Sequence, residues 1–352
     1  MRVALLGRWN ATCGVSLHGE LVGRELLRRG CSLRVFAPFP ESAGRWWHHK
    51  IVRRDEDFVR RVYAELSPEG EEGHLDPGDV LSEQFDVLLV ESYEKLPYRD
   101  VEELVRRLRE KGIPTVAVVH ESCPEDLRYS DLSVFSTLVI FDERYLKEVL
   151  GERAEGTRVE ILPYPCLPVR EGGRRFGEDG RIVFFSFGRQ PVGEYRDFLT
   201  ALRKLREDYP RIVYRVVRAG EPLGAKEEWI LEEQKVLDLE EIYALLHSSD
   251  VHLLPKGRTN RVVVSSTLYQ TLGSLCITVA PDTRFFETLP RAEEAPVVLY
   301  RDSSDLELKL RELLNNPELR ERVRENARRF VEENSLPKVV DGFIKLFDRL
   351  SP

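Results

Sequence analysis

Val183-Phe184-Phe185-Ser186-Phe187-Gly188-Arg189 repeats, near the middle of the chain, the pattern of its opening, Val3-Ala4-Leu5-Leu6-Gly7-Arg8. Each is a short apolar run ending in Gly-Arg, as expected of a strand buried on both faces and closed by a turn. Outward from both, apolar runs alternate with amphipathic stretches. Strands are predicted near residues 3–6, 33–37, 86–90, 115–119, 138–141 and 159–162, and again near 182–187, 214–219, 251–254, 277–280 and 297–300. Helices fill the intervals. Residues 15–29 carry Leu17, Leu21, Leu26 and Leu27 on or near one face and stop at Gly30, and residues 101–111 stop at Gly112. The alternation predicts an α/β protein of two Rossmann-like, doubly wound parallel sheets in tandem.

Pro163-Tyr164-Pro165-Cys166-Leu167-Pro168, followed by Gly172, Gly173, Gly177 and Gly180 among charges, reads as the linker. It divides the chain into an N-terminal Rossmann-like domain, 1–168, and a C-terminal Rossmann-like domain, 169–335. A last apolar helix, 336–352, carries Val339, Val340, Phe343, Ile344, Leu346 and Phe347 and is expected to pack back on the first domain.

A length of 352 residues suits two domains, and 42% hydrophobic with 32% charged residues is the balance of a globular chain with ample core. Five cysteines without paired short spacing argue against a zinc framework and against disulfides. The net charge of −8 disfavours nucleic acid as the main partner. Few glutamines, one Met and abundant Glu and Arg give a thermophile-like composition. No apolar run reaches the length of a membrane span, and the chain opens on a strand rather than a signal peptide, so the expected location is the cytoplasm.

Chemistry concentrates in Pro255-Lys256-Gly257-Arg258-Thr259-Asn260-Arg261 and the following Val262 to Gln270, which close a strand with a cationic loop and open a helix on Ser265, Ser266 and Thr267. Free N–H groups at a helix start, its dipole and nearby Lys or Arg make a seat for phosphate. The plainer alternative is a Ser/Thr-capped helix beside a solvated basic loop.

With Cys13-Gly14-Val15, Gly188-Arg189, Asp250-Val251-His252-Leu253-Leu254-Pro255 and Leu268-Tyr269-Gln270-Thr271-Leu272 leading into Thr278 to Asp282, the chain resembles, over its whole length, the GT-B glycosyltransferases of the retaining family 4 type. The resemblance implies two facing domains with a central cleft and a nucleotide-diphosphate sugar as substrate, with neither metal nor cofactor. Arg189 matches the arginine that contacts the donor diphosphate. The lysine expected a few residues later has no match between Gln190 and Tyr195, and Lys256, Arg258 or Arg261 are the candidates to replace it. Val262 and Gln270 stand at the two positions of the family's E-x7-E pair, so that motif is degenerate. Gln270 retains an amide oxygen for ribose hydroxyls.

In the first domain, Gly14 would let backbone approach the donor, and His120, at the end of a strand, would orient a sugar hydroxyl or share a proton. Trp46, Trp47 and His48 form a candidate acceptor site, because aromatic faces stack on sugar rings. The alternative for that loop is an interdomain contact or a peripheral contact with the inner membrane surface, strengthened by Lys50, Arg53, Arg54, Arg60 and Arg61. The expected partners are a nucleotide sugar and a saccharide or lipid-linked acceptor. Two other functions fit the same fold: a non-catalytic paralogue acting as a binding or scaffold subunit, and a nucleotide-sugar epimerase.

Overall fold

A computed structural model of the chain describes residues 1–46, 49–67 and 73–350. It divides into two units: residues 1–165 together with the helix Leu336–Leu350, and residues 166–335. The first unit holds β1 (Arg2–Leu6), β2 (Ser32–Pro38), β3 (Val59–Ala64), β4 (His74–Leu75), β5 (Val87–Ser92), β6 (Thr115–Val119), β7 (Thr137–Ile140) and β8 (Val159–Ile161). Their order is β4-β3-β2-β1-β5-β6-β7-β8. β4 runs antiparallel to β3, and the remaining neighbours are parallel.

The second unit holds β9 (Ile182–Gly188), β10 (Ile212–Arg218), β11 (Ile230–Gln234), β12 (Val251–Leu253), β13 (Ile277–Pro281) and β14 (Val298–Tyr300), in the parallel order β11-β10-β9-β12-β13-β14. Each sheet therefore reverses its strand order at one place, between β1 and β5 and between β9 and β12. In doubly wound sheets the carboxyl ends of the strands at that switch point are where ligands bind.

Three strands escape the apolar-run reading. β3 reads Val-Arg-Arg-Val-Tyr-Ala, β4 has two residues, and β11 reads Ile-Leu-Glu-Glu-Gln with only Ile230 buried. They lie at or next to sheet edges, where one side faces water and polar residues are favoured. The helix Gly14–Arg28 also corrects its predicted face: it buries His18, Gly19, Val22, Gly23 and Leu26, while Leu17, Leu21 and Leu27 are only half-buried. Gly23 allows close packing there, since a Cβ would stand 3.0 Å from both Leu33 and the indole of Trp9.

The C-terminal helix buries Val339, Val340, Phe343, Leu346 and Phe347 within the first unit. Arg29 pairs with Asp341 at 2.9 Å, and Arg349 with Glu160 at 3.1 Å. All five cysteines are free thiols. Among the described residues no helix is long and apolar enough to cross a membrane.

Candidate active site

The switch point of the first unit is lined by side chains that an apolar sheet would not carry by default. Glu91 lies in β5, in the run Val-Leu-Leu-Val-Glu-Ser, with none of its side chain exposed. His18 reaches it from the helix that follows β1, its Nδ1 standing 2.9 Å from each carboxylate oxygen. His120, directly after β6, brings its Nε2 to 2.5 Å from Glu91 Oε2. Burial alone would raise the Glu91 carboxyl, but the two imidazoles outweigh it and hold it at about 2. Burial lowers the His120 imidazole, against the pull of Glu91.

Two histidines and a glutamate are metal-ligand types, yet these atoms close on one another at hydrogen-bond distances. Tetrahedral zinc at ~2.05 Å from each ligand would hold them about 3.3 Å apart. The arrangement is a hydrogen-bonded chain of three groups. Next to it, Glu121 accepts from Ser92 Oγ at 2.5 Å and Tyr98 Oη at 2.7 Å, and burial pushes its carboxyl up to about 7.

At the switch point of the second unit, Gly188 ends β9 with φ +129°, and a Cβ there would lie 2.3 Å from Gln190 Oε1. The half-buried Arg189 follows at once. Glu194 occupies the stretch where the resemblance expects a lysine. Burial raises its carboxyl, opposed by the charge of Lys256 and the backbone N–H of Gly257. Gly257 lies close against the Glu194 carboxylate: a Cβ there would stand 2.6 Å from Oε1 and would oblige that side chain to move. Lys256 extends from the end of β12 with its ammonium 4.9 Å from the ring centroid of Phe285, and burial lowers it to about 8. Beside them, Arg218 ends β10 almost fully buried, donates to the Glu221 carbonyl at 2.7 Å and lies over the Tyr195 ring at 4.6 Å.

The remaining predicted residues fall as follows. Ser265 caps the helix Ser266–Thr271 by accepting the Leu268 N–H at 3.3 Å. That helix has six residues and passes into a 3-10 turn, so its dipole is small. It ends at Leu275 with φ +58°, a left-handed position that favours glycine. Arg258 and Arg261 are exposed, Val262 is buried, and Gln270 is half-buried with its carbonyl held by Tyr243 Oη at 2.9 Å. Gly14 opens its helix, and its carbonyl accepts from Tyr164 Oη at 2.9 Å.

Trp46 donates its indole N–H to the Leu66 carbonyl at 3.2 Å, and Lys95 lies over its ring at 4.1 Å, so one face is already used. Trp47 and His48 lie outside the described residues. Much of the basic run nearby is neutralised locally: Arg53 by Glu20, Arg60 by Glu83 and Arg61 by Asp55, at 2.5–2.6 Å. A cavity of about 150 Å³ lined by Arg174, Asp250, Cys276 and Arg324 opens at the amino-terminal edge of the second sheet, away from these groups.

Residues 189–338 match the family described as "Glycosyl transferase-like". An alpha,alpha-trehalose-phosphate synthase (UDP-forming) from Burkholderia xenovorans, solved with glucose-6-phosphate, superposes with TM-score 0.65 at 12% identity, over 99% of this chain and 100% of that one. A pneumococcal O-GlcNAc transferase, solved with UDP and GlcNAc, gives 0.65 at 11% identity over 99% of both. The fold is GT-B. An O-GlcNAc transferase from Thermobaculum terrenum is similar too, with TM-score 0.60 and 16% identity over 99% of this chain and 67% of that one.

Within this GT-B chain, sequence reasoning had marked His120, Arg189 and Lys256 but missed His18, Glu91, Glu194 and Arg218. One signal was available, since Glu91 interrupts an apolar run that otherwise reads as a strand buried on both faces.

Proposed function

We propose that the chain is a metal-independent glycosyltransferase that moves a sugar from a uridine-diphosphate sugar to a saccharide acceptor with retention. The observation that carries this reading is the group at the switch point of the second unit. Arg189 follows Gly188 at the end of β9, and Lys256 and Gly257 follow β12, the strand beside it, so two cations and two glycines stand after neighbouring strands. Cations at that edge would bind the diphosphate and stabilise the charge that grows on it as the sugar departs. Gln270 would accept from the ribose, and Arg258, Arg261 and the Ser265–Ser266–Thr267 turn would complete the donor site. Gly14 and His120 would serve the sugar, and Trp46 the acceptor. The choice of uridine is supported by two of the similar structures, one described as UDP-forming and one solved with UDP.

Calorimetry with UDP, GDP and ADP, followed by assays of nucleotide-sugar hydrolysis, tests the reading. Binding of UDP with slow release of sugar is expected. Absence of binding to all three nucleotides together with absence of hydrolysis would remove it.

A second reading, a non-catalytic scaffold subunit, is favoured by one feature: Glu194 places a carboxylate beside the cation meant for phosphate. Turnover by the isolated chain excludes it.

A further inference from the structure

A carboxylate in the middle of a parallel sheet is an unfavourable choice for stability. Its desolvation is costly even when it is paired, and apolar replacements of buried ion pairs are often neutral or stabilising. The chain nevertheless makes room for one. Gly7, directly after β1, leaves space that a Cβ would close, standing 2.7 Å from Glu91 Cβ. Gly19 lies over the same side chain from the helix, where a Cβ would make ordinary contact with Glu91 Cγ at 3.4 Å. His18 then occupies the carboxylate with Nδ1 and is itself held by edge contacts to Phe141 at 5.3 Å and Phe343 at 6.2 Å. His120 takes the Oε2 oxygen through its ring tip.

We infer that Glu91 is a positioning residue for His120: clamped by His18, it fixes the His120 imidazole as the tautomer protonated at Nε2 and leaves Nδ1 as the acceptor nitrogen for a sugar hydroxyl. The tip of the ring is thereby turned into the protein, and His120 acts as a neutral acceptor rather than as a proton donor. Carboxylate–imidazole pairs set tautomer in this way because an ionised carboxylate can only accept. His18 Nε2 is buried without a hydrogen-bond partner, so His18 grips Glu91 through Nδ1 alone. The functional half of the inference rests on the transferase reading; the tautomer does not.

The test has two arms on the full chain. Imidazole 15N shifts are recorded from pH 6 to 8. The expected spectrum shows His120 neutral, with a pyrrole-type Nε2 and a pyridine-type Nδ1. A protonated Nδ1, or metal bound in stoichiometric amount at these nitrogens, overturns the assignment whether or not the protein is an enzyme. In the second arm, Glu91→Gln and Glu91→Asp are compared by donor kinetics. Glu91→Gln should lower kcat at least tenfold with the acceptor KM unchanged and make His120 a mixture of tautomers, and Glu91→Asp should recover part of both. Wild-type kcat and tautomer in Glu91→Gln would overturn the proposal. Should Glu91→Gln fail to fold, His18→Gln, which loosens the clamp without removing the carboxylate, must show the same tautomer mixture. Failure of all turnover in the wild type, with the expected spectrum intact, removes the transferase reading and the role of Nδ1 but leaves the clamp standing.

Discussion

Gly7 and Glu91 are matched: a Cβ on the first would stand 2.7 Å from the Cβ of the second, backbone against a side-chain root that cannot swing away. Gly7→Ala should therefore destabilise the protein by about 1–3 kcal/mol through forced displacement of β5 or of the turn. Gly30 is the control. It has φ +85° and open space around it, so Gly30→Ala should lose about 1 kcal/mol from backbone conformation alone. Urea denaturation of both variants checks the contrast, and only Gly7→Ala should disturb the His120 resonances.

Under the proposed function Lys256 binds phosphate as an ammonium, and burial lowers it to about 8. UDP affinity should accordingly fall as pH rises past about 8, with the midpoint moved upward to the extent that the bound diphosphate favours the ammonium. Lys256→Met should weaken UDP binding about tenfold at pH 7, near 1.4 kcal/mol, and flatten the pH dependence. Calorimetry at pH 7 and 9.5 reads both. Equal wild-type affinities at the two pH values would count against Lys256 as a phosphate ligand.

Glu121 is a buried acid whose carboxyl is raised to about 7. Between its ordinary value of 4.5 and about 7, the folded chain binds more protons at this site than the unfolded chain, so stability contributed here falls as pH rises through that window. The loss amounts to roughly 3 kcal/mol. Glu121→Gln should remove this slope and leave the protein at least as stable as the wild type at pH 8, measured by urea midpoints across pH 4.5–8.

His252 gives the opposite slope in the other unit. It is fully buried in β12, stacked on Phe187 at 5.6 Å, and both ring nitrogens lack a hydrogen-bond partner. Burial drops it to about 3. The unfolded chain then takes up a proton that the folded chain refuses, so stability is lost as pH falls from about 6.5 toward 3. His252→Phe should raise stability by about 1–3 kcal/mol at pH 7 and more at pH 5, because it removes two unsatisfied polar atoms and keeps the stack. A lower melting temperature in the variant at both pH values would contradict this account.

Most interior strands were legible because parallel strands covered on both faces are largely apolar, as in Thr115–Val119 and Ile182–Gly188. β3, β4 and β11 were not, since strands at sheet edges take polar residues that mimic loops. Likewise His120 and Lys256 could be singled out from their places after strands, and Arg189 from the resemblance, while the side chains that meet them could not. His18 and Glu91 are 73 residues apart, and no local period joins them.

The sequence by itself determined two tandem α/β sheets and the positions of the loops after each strand, because burial and chain period act over a few residues. Which side chains meet at those loops was decided only by the tertiary structure. Strand order brought β5 beside β1 and β12 beside β9, and so set Glu91 under His18 and His120 and Glu194 against Lys256 and Gly257. The physical reason is range: hydrophobic patterning is local along the chain, whereas hydrogen bonds and charge pairs in a doubly wound sheet join residues that only the crossovers bring together.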